Sequence, residues 1–380
     1  MKTLVIGAGM MGSALAYDLA HSDGVDKVIL ADIDLERTKN VAQAIGANVE
    51  PVKLDINYYD DVVGLMERID VVCGATSYNH NLLLTKAAIE TEKHFFDLGG
   101  NMDIVYKQME LHDKAKTANV LILPNCGLAP GLAAIIGAGG AKRFEKVDQI
   151  HLRVGGLPKH PRPPLNYMLV FSVEGLINEY LEPAEVIRDG KVKLAEAMAD
   201  LEEIEFPQPF GKVESFNTSG GISTLTRMFE GKINALDYKT IRYKGHCEKF
   251  KTLLDLGFAS SEPIMVGNSL RTAREVFQEL LKKKLPSTGQ DVVLMKVWIT
   301  GTINNQQKTL AYEMIDYYDD KLNISAMART TSFPTSIIAQ MAVDGTITAR
   351  GIIPPEQCVP LEPLIEELKK RNIIIKETLI

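Results

Sequence analysis

The first residues of the chain have the types and spacing of a dinucleotide site. Gly7-Ala8-Gly9-Met10-Met11-Gly12 is a G-x-G-x-x-G motif that directly follows a short apolar run and opens a helical pattern. Gly7 permits the tight turn, Gly9 lets the backbone approach a pyrophosphate, and Gly12 lets helix and strand pack closely. The helix would direct its amide groups and positive dipole end at the pyrophosphate. The predicted cofactor contacts in this motif are Gly7, Gly9, Met10, Met11 and Gly12.

A carboxylate follows the motif at the interval of about 20 residues that is typical of dinucleotide-binding domains. This residue, Asp32, ends the second apolar run. Its carboxylate would accept hydrogen bonds from both ribose hydroxyls and would repel a 2′-phosphate, which predicts NAD rather than NADP as the cofactor. The alternative is a nucleotide-free Rossmann domain in which Asp32 is merely solvated.

Two further positions extend the predicted cofactor site. Asp55 ends the third apolar run, where it is either an adenine-side contact or only a cap of the next helix. Gly74-Ala75-Thr76 follows the fourth run, at the point where the backbone passes the nicotinamide ribose. Both positions are at the ends of strands, where open α/β sheets bind their ligands.

Regularly spaced strands must position these residues. Six short apolar runs begin about 21 to 26 residues apart, and helical patterns separate most of them, which predicts βαβ units and a doubly wound parallel sheet. Each run is apolar on successive residues, as is typical of strands that are covered on both faces. The runs are Thr3–Ile6, Lys27–Ala31, Val49–Leu54, Asp70–Cys73, His94–Asp97 and Val120–Leu123.

The pattern of apolar and polar residues changes after the sixth run. Longer alternating runs then predict an α+β domain, with an amphipathic helix around Ala273–Leu281 and a hairpin turn at Asn304-Asn305. The acidic stretch Glu202–Glu205 is interpreted as a solvated loop. The predicted strands are Gln149–Val154, Lys212–Phe216, Leu236–Tyr243, Val292–Thr302 and Lys308–Tyr317. The end of the chain is predicted to contain helices Pro334–Met341 and Glu362–Lys370 and a strand at Ile373–Ile375.

These patterns divide the 380 residues into three predicted parts. Residues 1–125 form a dinucleotide-binding Rossmann domain, residues 126–330 an α+β domain for substrate binding and oligomerisation, and residues 331–380 a segment that packs back on the Rossmann domain. The net charge of −7 and the interspersed acidic residues argue against nucleic acid as a partner. No apolar run is long enough to cross a membrane, and no signal peptide is evident.

The cysteines favour a reducing compartment. Four widely spread thiols, at positions 73, 126, 247 and 358, form neither a CxxC motif nor a Cys/His metal spacing. We therefore expect a cytoplasmic protein without a disulfide framework and without a metal site.

The order of motifs along the whole chain resembles the saccharopine dehydrogenase-like family of NAD(P)-dependent C–N bond oxidoreductases. The similarity extends from the glycine motif through Asn125–Gly131 and Val154–Pro158 to Phe171–Ile177. Within that family the chain is most similar to the L-lysine 6-dehydrogenases, on the residues Thr218–Leu225, Tyr238–His246 and Met327–Thr331.

The resemblance implies a reaction and an assembly. The ε-carbon of L-lysine would be oxidised by NAD to 2-aminoadipate 6-semialdehyde with release of ammonia, and the aldehyde would cyclise to piperideine-6-carboxylate. The resemblance also implies a homodimer or larger homo-oligomer with the active site between the domains.

Loss of hydride from an amine-bearing carbon requires a neutral amine and therefore a nearby base. Asp97 ends the fifth strand and is the predicted base, because the family places substrate near this position; the alternative is that it only caps the helix near Asp103. His80, after the fourth strand, and His246, in the turn after Arg242, are alternative bases, since imidazole titrates in the useful range. Either histidine can equally be a surface or a structural residue.

The carboxylate of an amino-acid substrate requires a cation. Arg242 can offer its guanidinium as a bidentate donor, and Arg153 and Lys239 compete for that role. The other predicted substrate contacts are Thr240, Ser223, Thr224 and Cys126. A buried structural role is the alternative for Cys126, and an ordinary turn is the alternative for the pair Ser223-Thr224.

Two other functions compete with lysine oxidation. The first is a C–N bond-forming reductase of the saccharopine or carboxynorspermidine dehydrogenase type, which joins an amino acid to an aldehyde. The second is a redox sensor that binds NAD(H) without turnover, against which the large polar second domain argues.

Overall fold

The computed structural model describes residues 1–46 and 48–380. By its internal contacts the chain divides into two compact units. The first consists of residues 1–143, 223–225 and 328–375, and the second of residues 144–222, 226–327 and 376–380. This division differs from the predicted boundaries after residues 125 and 330, since residues 126–143 and 223–225 associate with the first unit.

The first unit is built on a parallel sheet of seven strands in the order β17-β6-β5-β4-β1-β2-β3. Its strands are β1 (Lys2–Ile6), β2 (Lys27–Asp32), β3 (Val49–Lys53), β4 (Val71–Gly74), β5 (His94–Asp97), β6 (Leu121–Leu123) and β17 (Gly351–Ile352). Six of them coincide with the six apolar runs. The predicted doubly wound parallel sheet is thus confirmed.

Helices connect these strands and share their core, in which Leu4, Val72 and Phe95 of the sheet pack with Leu84 and Ala87. The helices up to residue 143 are α1 (Met10–Ala20), α2 (Leu35–Ile45), α3 (Tyr59–Met66), α4 (Asn81–Glu90), α5 (Met102–Met109), α6 (His112–Thr117) and α7 (Leu132–Ala141). Those of the C-terminal part are α12 (Ala326–Val343), α13 (Pro355–Cys358) and α14 (Leu361–Lys370).

Specific contacts join residues 328–375 to the start of the chain. The hydroxyl of Ser332 donates to the carbonyl oxygen of Met11 at 2.8 Å, and Arg371 forms a largely buried ion pair with Asp18 at 2.7 Å. Helix α7 packs against α13 and α14. These contacts explain why α7 belongs to the first unit, although the sequence change after residue 125 suggested a boundary.

The second unit contains a mixed nine-stranded sheet, as expected of an α+β domain. Its main path has the order β10-β11-β12-β7-β15-β16-β18; off this path, β8 pairs with β12 and β9 pairs with β8. The strands are β7 (Lys146–Pro158), β8 (Ala184–Arg188), β9 (Lys191–Ala195), β10 (Glu202–Phe206), β11 (Gly211–Asn217), β12 (Ala235–Arg242), β15 (Asp291–Ile303), β16 (Gln306–Tyr317) and β18 (Ile375–Leu379). A separate hairpin consists of β13 (Pro263–Val266) and β14 (Ser269–Thr272).

The helices of the second unit are α8 (Val173–Leu181), α9 (Leu225–Phe229), α10 (His246–Asp255) and α11 (Ala273–Lys284). The predicted amphipathic helix is confirmed as α11, and Asn304 and Asn305 form the predicted turn between β15 and β16. Both asparagines have positive φ angles, 51° and 59°, which the tight turns of β-hairpins require.

Three element predictions are wrong. The acidic stretch Glu202–Glu205 is part of β10, which pairs antiparallel with β11, and Glu202 forms ion pairs with Arg153 of β7 and Lys239 of β12. Helix α12 starts well before Pro334 and runs through it, since the flanking residues are buried. The C-terminal strand was predicted at Ile373–Ile375, but it is β18 at Ile375–Leu379, which joins the sheet of the second unit.

Candidate functional site

The glycine motif has the geometry that its spacing predicts. Gly7 has a φ of 107°, and a Cβ there would lie 2.5 Å from the carbonyl oxygen of Ala75. A Cβ on Gly12 would lie 1.7 Å from the carbonyl oxygen of Gly7. A Cβ on Gly9 would meet no atom within 4 Å. The backbone at Gly9, which caps α1, is therefore open to a ligand, as a pyrophosphate site requires.

An open groove of about 520 Å³ extends from this motif along the carboxyl ends of the strands. Gly7, Asp32, Asp55, Thr76 and His80 are among its lining residues. These residue types, together with the open approach to Gly9, fit the adenosine half and pyrophosphate of a dinucleotide.

The carboxylate of Asp32 is fixed at the end of β2. Its Oδ2 accepts a hydrogen bond from the amide of Ala8 at 2.7 Å, and its Oδ1 accepts one from the amide of Asp34 at 2.9 Å. Arg37 Nη2 donates to Oδ1 at 3.3 Å. The carboxylate is thereby held beside the glycine motif, and the Arg37 guanidinium lies next to it.

The other predicted cofactor residues lie at the same sheet edge. Asp55 Oδ1 accepts from the backbone amide of Asn57 at 3.0 Å and from its side chain at 2.9 Å, so Asp55 shapes the turn into α3. Gly74 ends β4, and the amide of Ala75 donates to the carbonyl oxygen of Ile6 at 2.8 Å.

His80 lies in a short 3-10 turn, Tyr78–His80, and lines the groove together with Asp32 and Asp55. The structure therefore groups it with the residues that fit an adenosine moiety. The role of His80 as an alternative base stays a prediction.

Asp97 is completely buried at the end of β5. Its Oδ1 accepts hydrogen bonds from the amides of Gly99 at 2.8 Å and Asn125 at 3.2 Å, and its Oδ2 accepts one from Gln108 Nε2 at 2.8 Å. Burial raises the pKa of Asp97 from 3.8 to about 6. The helix cap considered as its alternative role is provided by Asn101, whose Oδ1 accepts from the amide of Ile104.

Both side-chain oxygens of Asp97 are thus hydrogen-bonded to the protein. The carboxylate joins the loops after β5 and β6, and we assign it a positioning role there. These contacts do not test Asp97 as the base, and that role stays a prediction.

The Asp97→Asn variant tests this assignment through the pH dependence of stability. The amide keeps an acceptor for Gly99 and Asn125, and its new donor can face Gln108 Oε1, which has no hydrogen-bond partner in the described part of the chain. Because the folded-state pKa of Asp97 is raised, the stability that its carboxyl contributes is complete below about pH 4 and is lost as the pH rises through 6. A shift of about 2 pKa units corresponds to about 3 kcal/mol.

Thermal unfolding should be measured at a series of pH values from 4 to 7. The unfolding temperature of Asp97→Asn should rise relative to that of the wild type as the pH increases. The exposed Asp103 provides the control substitution, Asp103→Asn. Parallel pH profiles for the wild type and Asp97→Asn would contradict the assignment.

The predicted contacts Cys126, Ser223 and Thr224 are buried within the first unit. The thiol of Cys126 donates to the carbonyl oxygen of Leu123 at 3.3 Å, and burial raises its pKa well above the usual range. Thr224 donates to Glu356 Oε1 from its amide at 2.9 Å and from its hydroxyl at 2.8 Å, and Ser223 Oγ accepts from Asn125 Nδ2 at 3.3 Å. These bonds hold the three residues within the first unit, and their role in substrate binding stays a prediction.

Two of the three candidate cations are already paired. Arg153 binds Asp237 at 2.7 Å and also pairs with Glu202. Lys239 donates to Glu202 at 3.0 Å and to the carbonyl oxygen of Asp200 at 2.7 Å. Neither is available to a substrate carboxylate.

Arg242, at the end of β12, has a different environment. Its Nε donates to the hydroxyl of Tyr180 at 2.7 Å, its Nη1 donates to the carbonyl oxygen of Ile241 at 2.8 Å, and its guanidinium carbon lies 4.9 Å from the ring centroid of Tyr167. No carboxylate of the described residues forms an ion pair with it. Arg242 is therefore the predicted cation that remains able to pair with a carboxylate.

His246 holds Arg242 in place through Tyr180. Its Nε2 accepts from the hydroxyl of Tyr180 at 3.1 Å, and its Nδ1 donates to the carbonyl oxygen of Leu165 at 2.9 Å, which fixes the neutral tautomer. Burial, with the nearby Arg242, lowers the pKa of His246 to about 3. His246 thus positions Tyr180 and, through it, Arg242; its role as an alternative base stays a prediction. Thr240, two residues before Arg242, is buried and donates to the carbonyl oxygen of Val154 at 3.4 Å.

Sequence reasoning missed the polar residues around Arg242. Tyr167 and Tyr180 are almost fully buried beside it. Glu179 is half-buried on α8, and burial raises its pKa to about 7, although Arg242 opposes the shift. Nothing in the spacing of α8 separates Glu179 from an ordinary helical glutamate. The common proximity of these residues to Arg242 emerges only from the tertiary structure.

Two family models together match nearly the whole chain. The one described as "Saccharopine dehydrogenase NADP binding domain" matches residues 3–123, and "Saccharopine dehydrogenase C-terminal domain" matches residues 127–374. The chain belongs to the saccharopine dehydrogenase family. The resemblance seen in the sequence is thereby confirmed at the level of this family of oxidoreductases, and the groove on the first unit lies within its nucleotide-binding domain.

Relatives and a solved structure agree with this membership. The mitochondrial alpha-aminoadipic semialdehyde synthase of Bos taurus is 21% identical over 98% of this chain, which spans about half (47%) of that protein. Saccharopine dehydrogenase [NADP(+), L-glutamate-forming] of Pyricularia oryzae is 22% identical, with 97% of each chain covered. The apo saccharopine dehydrogenase (L-Glu forming) of Saccharomyces cerevisiae has the same fold, with a TM-score of 0.82, 19% identity and coverage of 100% and 99%.

The described residues contain neither a candidate metal cluster nor a membrane-spanning helix. Among them, no group of three or more His, Cys, Asp and Glu side chains is arranged to hold a metal ion. None of the helices in this part of the chain has the length and apolar character needed to cross a membrane.

Proposed function

We propose that the protein is an NAD-dependent dehydrogenase that oxidises the ε-carbon of L-lysine. This substrate is supported by which of the three candidate cations are already paired with carboxylates of the protein. Arg153 and Lys239 are paired with carboxylates of the protein, whereas Arg242 has no carboxylate partner among the described residues. One available cation fits a substrate with one carboxylate, whereas saccharopine carries several.

The residues of the second unit would bind the amino acid, and those of the first would bind the dinucleotide. When bound, NAD supplies the hydride acceptor. A base, for which Asp97, His80 and His246 are the predicted residues, first takes a proton from the ε-ammonium. The ε-carbon then loses a hydride with the support of the nitrogen lone pair, and water adds to the resulting iminium. Ammonia leaves, and the product 2-aminoadipate 6-semialdehyde closes onto its own α-amine to give piperideine-6-carboxylate.

The preference for NAD rests on Asp32. Its carboxylate is fixed beside the glycine motif by two backbone amides, at the place where a 2′-phosphate would have to lie. The matching family model and the Pyricularia relative both carry NADP in their names, so cofactor choice is a property to be measured for this chain.

Replacing Asp32 by serine should shift the cofactor preference toward NADP by at least about tenfold, since a like-charge repulsion of more than about 1.4 kcal/mol is removed. The substitution also releases Arg37, which can then contact a 2′-phosphate. Kinetic constants for NAD and NADP measure the shift. The double variant Asp32→Ser with Arg37→Ala is the matched control and should lose much of the gain in NADP use. A wild type that uses NADP better than NAD would contradict the assignment.

A C–N bond-forming reductase is the second candidate. It is supported by the Pyricularia saccharopine dehydrogenase, which matches this chain over nearly the full length of both. That reaction, run in the oxidative direction, cleaves a secondary amine and releases glutamate instead of ammonia.

The deciding experiment measures NADH formation and ammonia release with L-lysine, ornithine, saccharopine and polyamines. Lysine oxidation with one ammonia per NADH supports our proposal. Turnover of saccharopine with glutamate release would favour the second candidate. Tight NAD binding without turnover of any amine would instead indicate a redox sensor.

We further propose that the protein works in the cytoplasm as a homodimer or larger homo-oligomer. The four cysteines are all unpaired, which suits a reducing compartment. The oligomeric state is an expectation from the family resemblance.

A further inference from the structure

The hydroxyl of Tyr167 is a buried polar group that the fold does not use. Tyr167 is 2% exposed, and its hydroxyl oxygen has no hydrogen-bond partner in the described part of the chain. A buried hydroxyl without a partner costs free energy, and such groups are therefore rare in folded proteins. This hydroxyl points to a partner that the described residues do not supply.

The ring of Tyr167, in contrast, is held firmly in place. It belongs to the apolar core of the second unit, and its centroid lies 5.3 Å from that of the His246 ring. His246 Nδ1 also donates to the carbonyl oxygen of Leu165, two residues before Tyr167, at 2.9 Å. The position of the hydroxyl is therefore fixed by contacts that do not involve the hydroxyl itself.

The same ring lies beside the guanidinium of Arg242, whose carbon is 4.9 Å from the ring centroid. Arg242 is 3% exposed; its Nε and Nη1 donate to Tyr180 and Ile241, whereas its Nη2 has no partner among the described residues. Burial raises the pKa of Tyr167 to about 12, so its hydroxyl keeps the proton and can donate. Two neighbouring buried side chains thus each carry an unpaired donor, and one of them is charged.

A carboxylate offers two oxygens, each of which accepts hydrogen bonds. Resting on the proposed function, in which Arg242 pairs with the carboxylate of the substrate, we propose that the Tyr167 hydroxyl donates a further hydrogen bond to that carboxylate. Arg242 supplies the charge, and Tyr167 supplies a neutral donor whose position the core fixes. Tyr167 is thus a specificity-determining residue that favours amino acids over polyamines, which have no carboxylate.

This role separates substrate binding from stability. Tyr167→Phe keeps the ring and its packing and removes only the hydroxyl without a partner. The unfolding temperature of the ligand-free protein should therefore stay equal or rise. Tyr180→Phe is the contrast and should lower it, because the Tyr180 hydroxyl is bonded to Arg242 Nε at 2.7 Å and to His246 Nε2 at 3.1 Å.

The kinetic test compares L-lysine with pentane-1,5-diamine, which keeps the distal amine but lacks the carboxylate. In Tyr167→Phe, kcat/KM for L-lysine should fall about 10- to 100-fold, as expected for loss of a hydrogen bond to a charged group. The value for the diamine should stay unchanged. Tyr317→Phe is the matched control, because Tyr317 is an exposed tyrosine of the same unit, and it should alter neither value.

Calorimetric binding of L-norleucine in the presence of NAD gives a second measurement, since this amino acid has the carboxylate without a distal amine and needs no turnover. Its affinity should fall by the same factor in Tyr167→Phe and stay constant in Tyr317→Phe. A lower unfolding temperature for Tyr167→Phe would overturn the proposal, because the hydroxyl would then serve the fold.

The proposal would also fail if L-lysine and the diamine lost activity equally, or if L-lysine and L-norleucine lost nothing. If the wild type binds L-norleucine in a Tyr167-dependent way but does not oxidise L-lysine, the proposed reaction fails while the carboxylate site stands. A wild type that neither binds L-norleucine nor oxidises L-lysine would refute both.

Discussion

Replacing Arg242 by leucine is expected to lower kcat/KM for L-lysine by about 10- to 100-fold. The guanidinium is buried and has no carboxylate partner among the described residues, so pairing with the substrate carboxylate would satisfy its charge. Loss of a hydrogen bond between charged groups costs about 1.5–3 kcal/mol, which corresponds to this range of rate loss. Steady-state kinetics with L-lysine measure the effect.

The diamine pentane-1,5-diamine is the control substrate, because it resembles lysine without the carboxylate. Its kcat/KM should change little in Arg242→Leu. Arg242→Lys keeps the charge but loses the planar pair of donors, and should give an intermediate loss with L-lysine. If both substrates lose activity equally, Arg242 supports the fold of the second unit and another residue binds the carboxylate.

The sequence alone could not choose among the three cations. Arg153 is neutralised by Glu202 and Asp237, which lie 49 and 84 residues further along the chain. These pairings exist only because β7, β10 and β12 belong to one sheet. The predicted acidic loop is strand β10, whose backbone pairs with β11 and whose Glu202 belongs to the same ion-pair network.

The Rossmann strands, in contrast, could be predicted from the sequence, because the residues that indicate each strand lie within the strand itself. Each apolar run is a strand covered on both faces, and the glycine motif and Asp32 lie at fixed intervals from the first two strands. Pro334 is a local signal that failed: it predicts a helix start, yet α12 continues through it because buried neighbours such as Phe333 and Ile337 hold both halves. Packing overrode the preference of a single residue.

The candidate bases show how far functional residues can be predicted from the sequence. Residue type identifies groups that titrate, but only the structure shows whether their atoms are already bonded. Asp97 and His246 have every side-chain oxygen or nitrogen in a hydrogen bond, whereas the buried hydroxyl of Tyr167 has no partner among the described residues. A residue whose hydrogen-bonding capacity is unused is the better candidate for ligand binding.

Replacing Gly9 by valine should abolish dinucleotide binding, with affinity reduced by at least about 100-fold, while the protein stays folded. The φ and ψ of Gly9, −75° and −171°, are extended values that valine adopts readily, and a Cβ there meets no protein atom within 4 Å. The side chain would instead occupy the approach of the pyrophosphate to the start of α1. Isothermal titration calorimetry with NAD measures the affinity, and circular dichroism with thermal unfolding measures the fold.

Gly12→Ala is the informative contrast, because its Cβ would lie 1.7 Å from the carbonyl oxygen of Gly7. That clash involves two backbone segments of the protein itself and cannot be relieved by moving a flexible side chain. We expect Gly12→Ala to lower the unfolding temperature even without cofactor, whereas Gly9→Val leaves it unchanged. Undiminished NAD affinity in a folded Gly9→Val protein would show that the pyrophosphate does not bind at this motif.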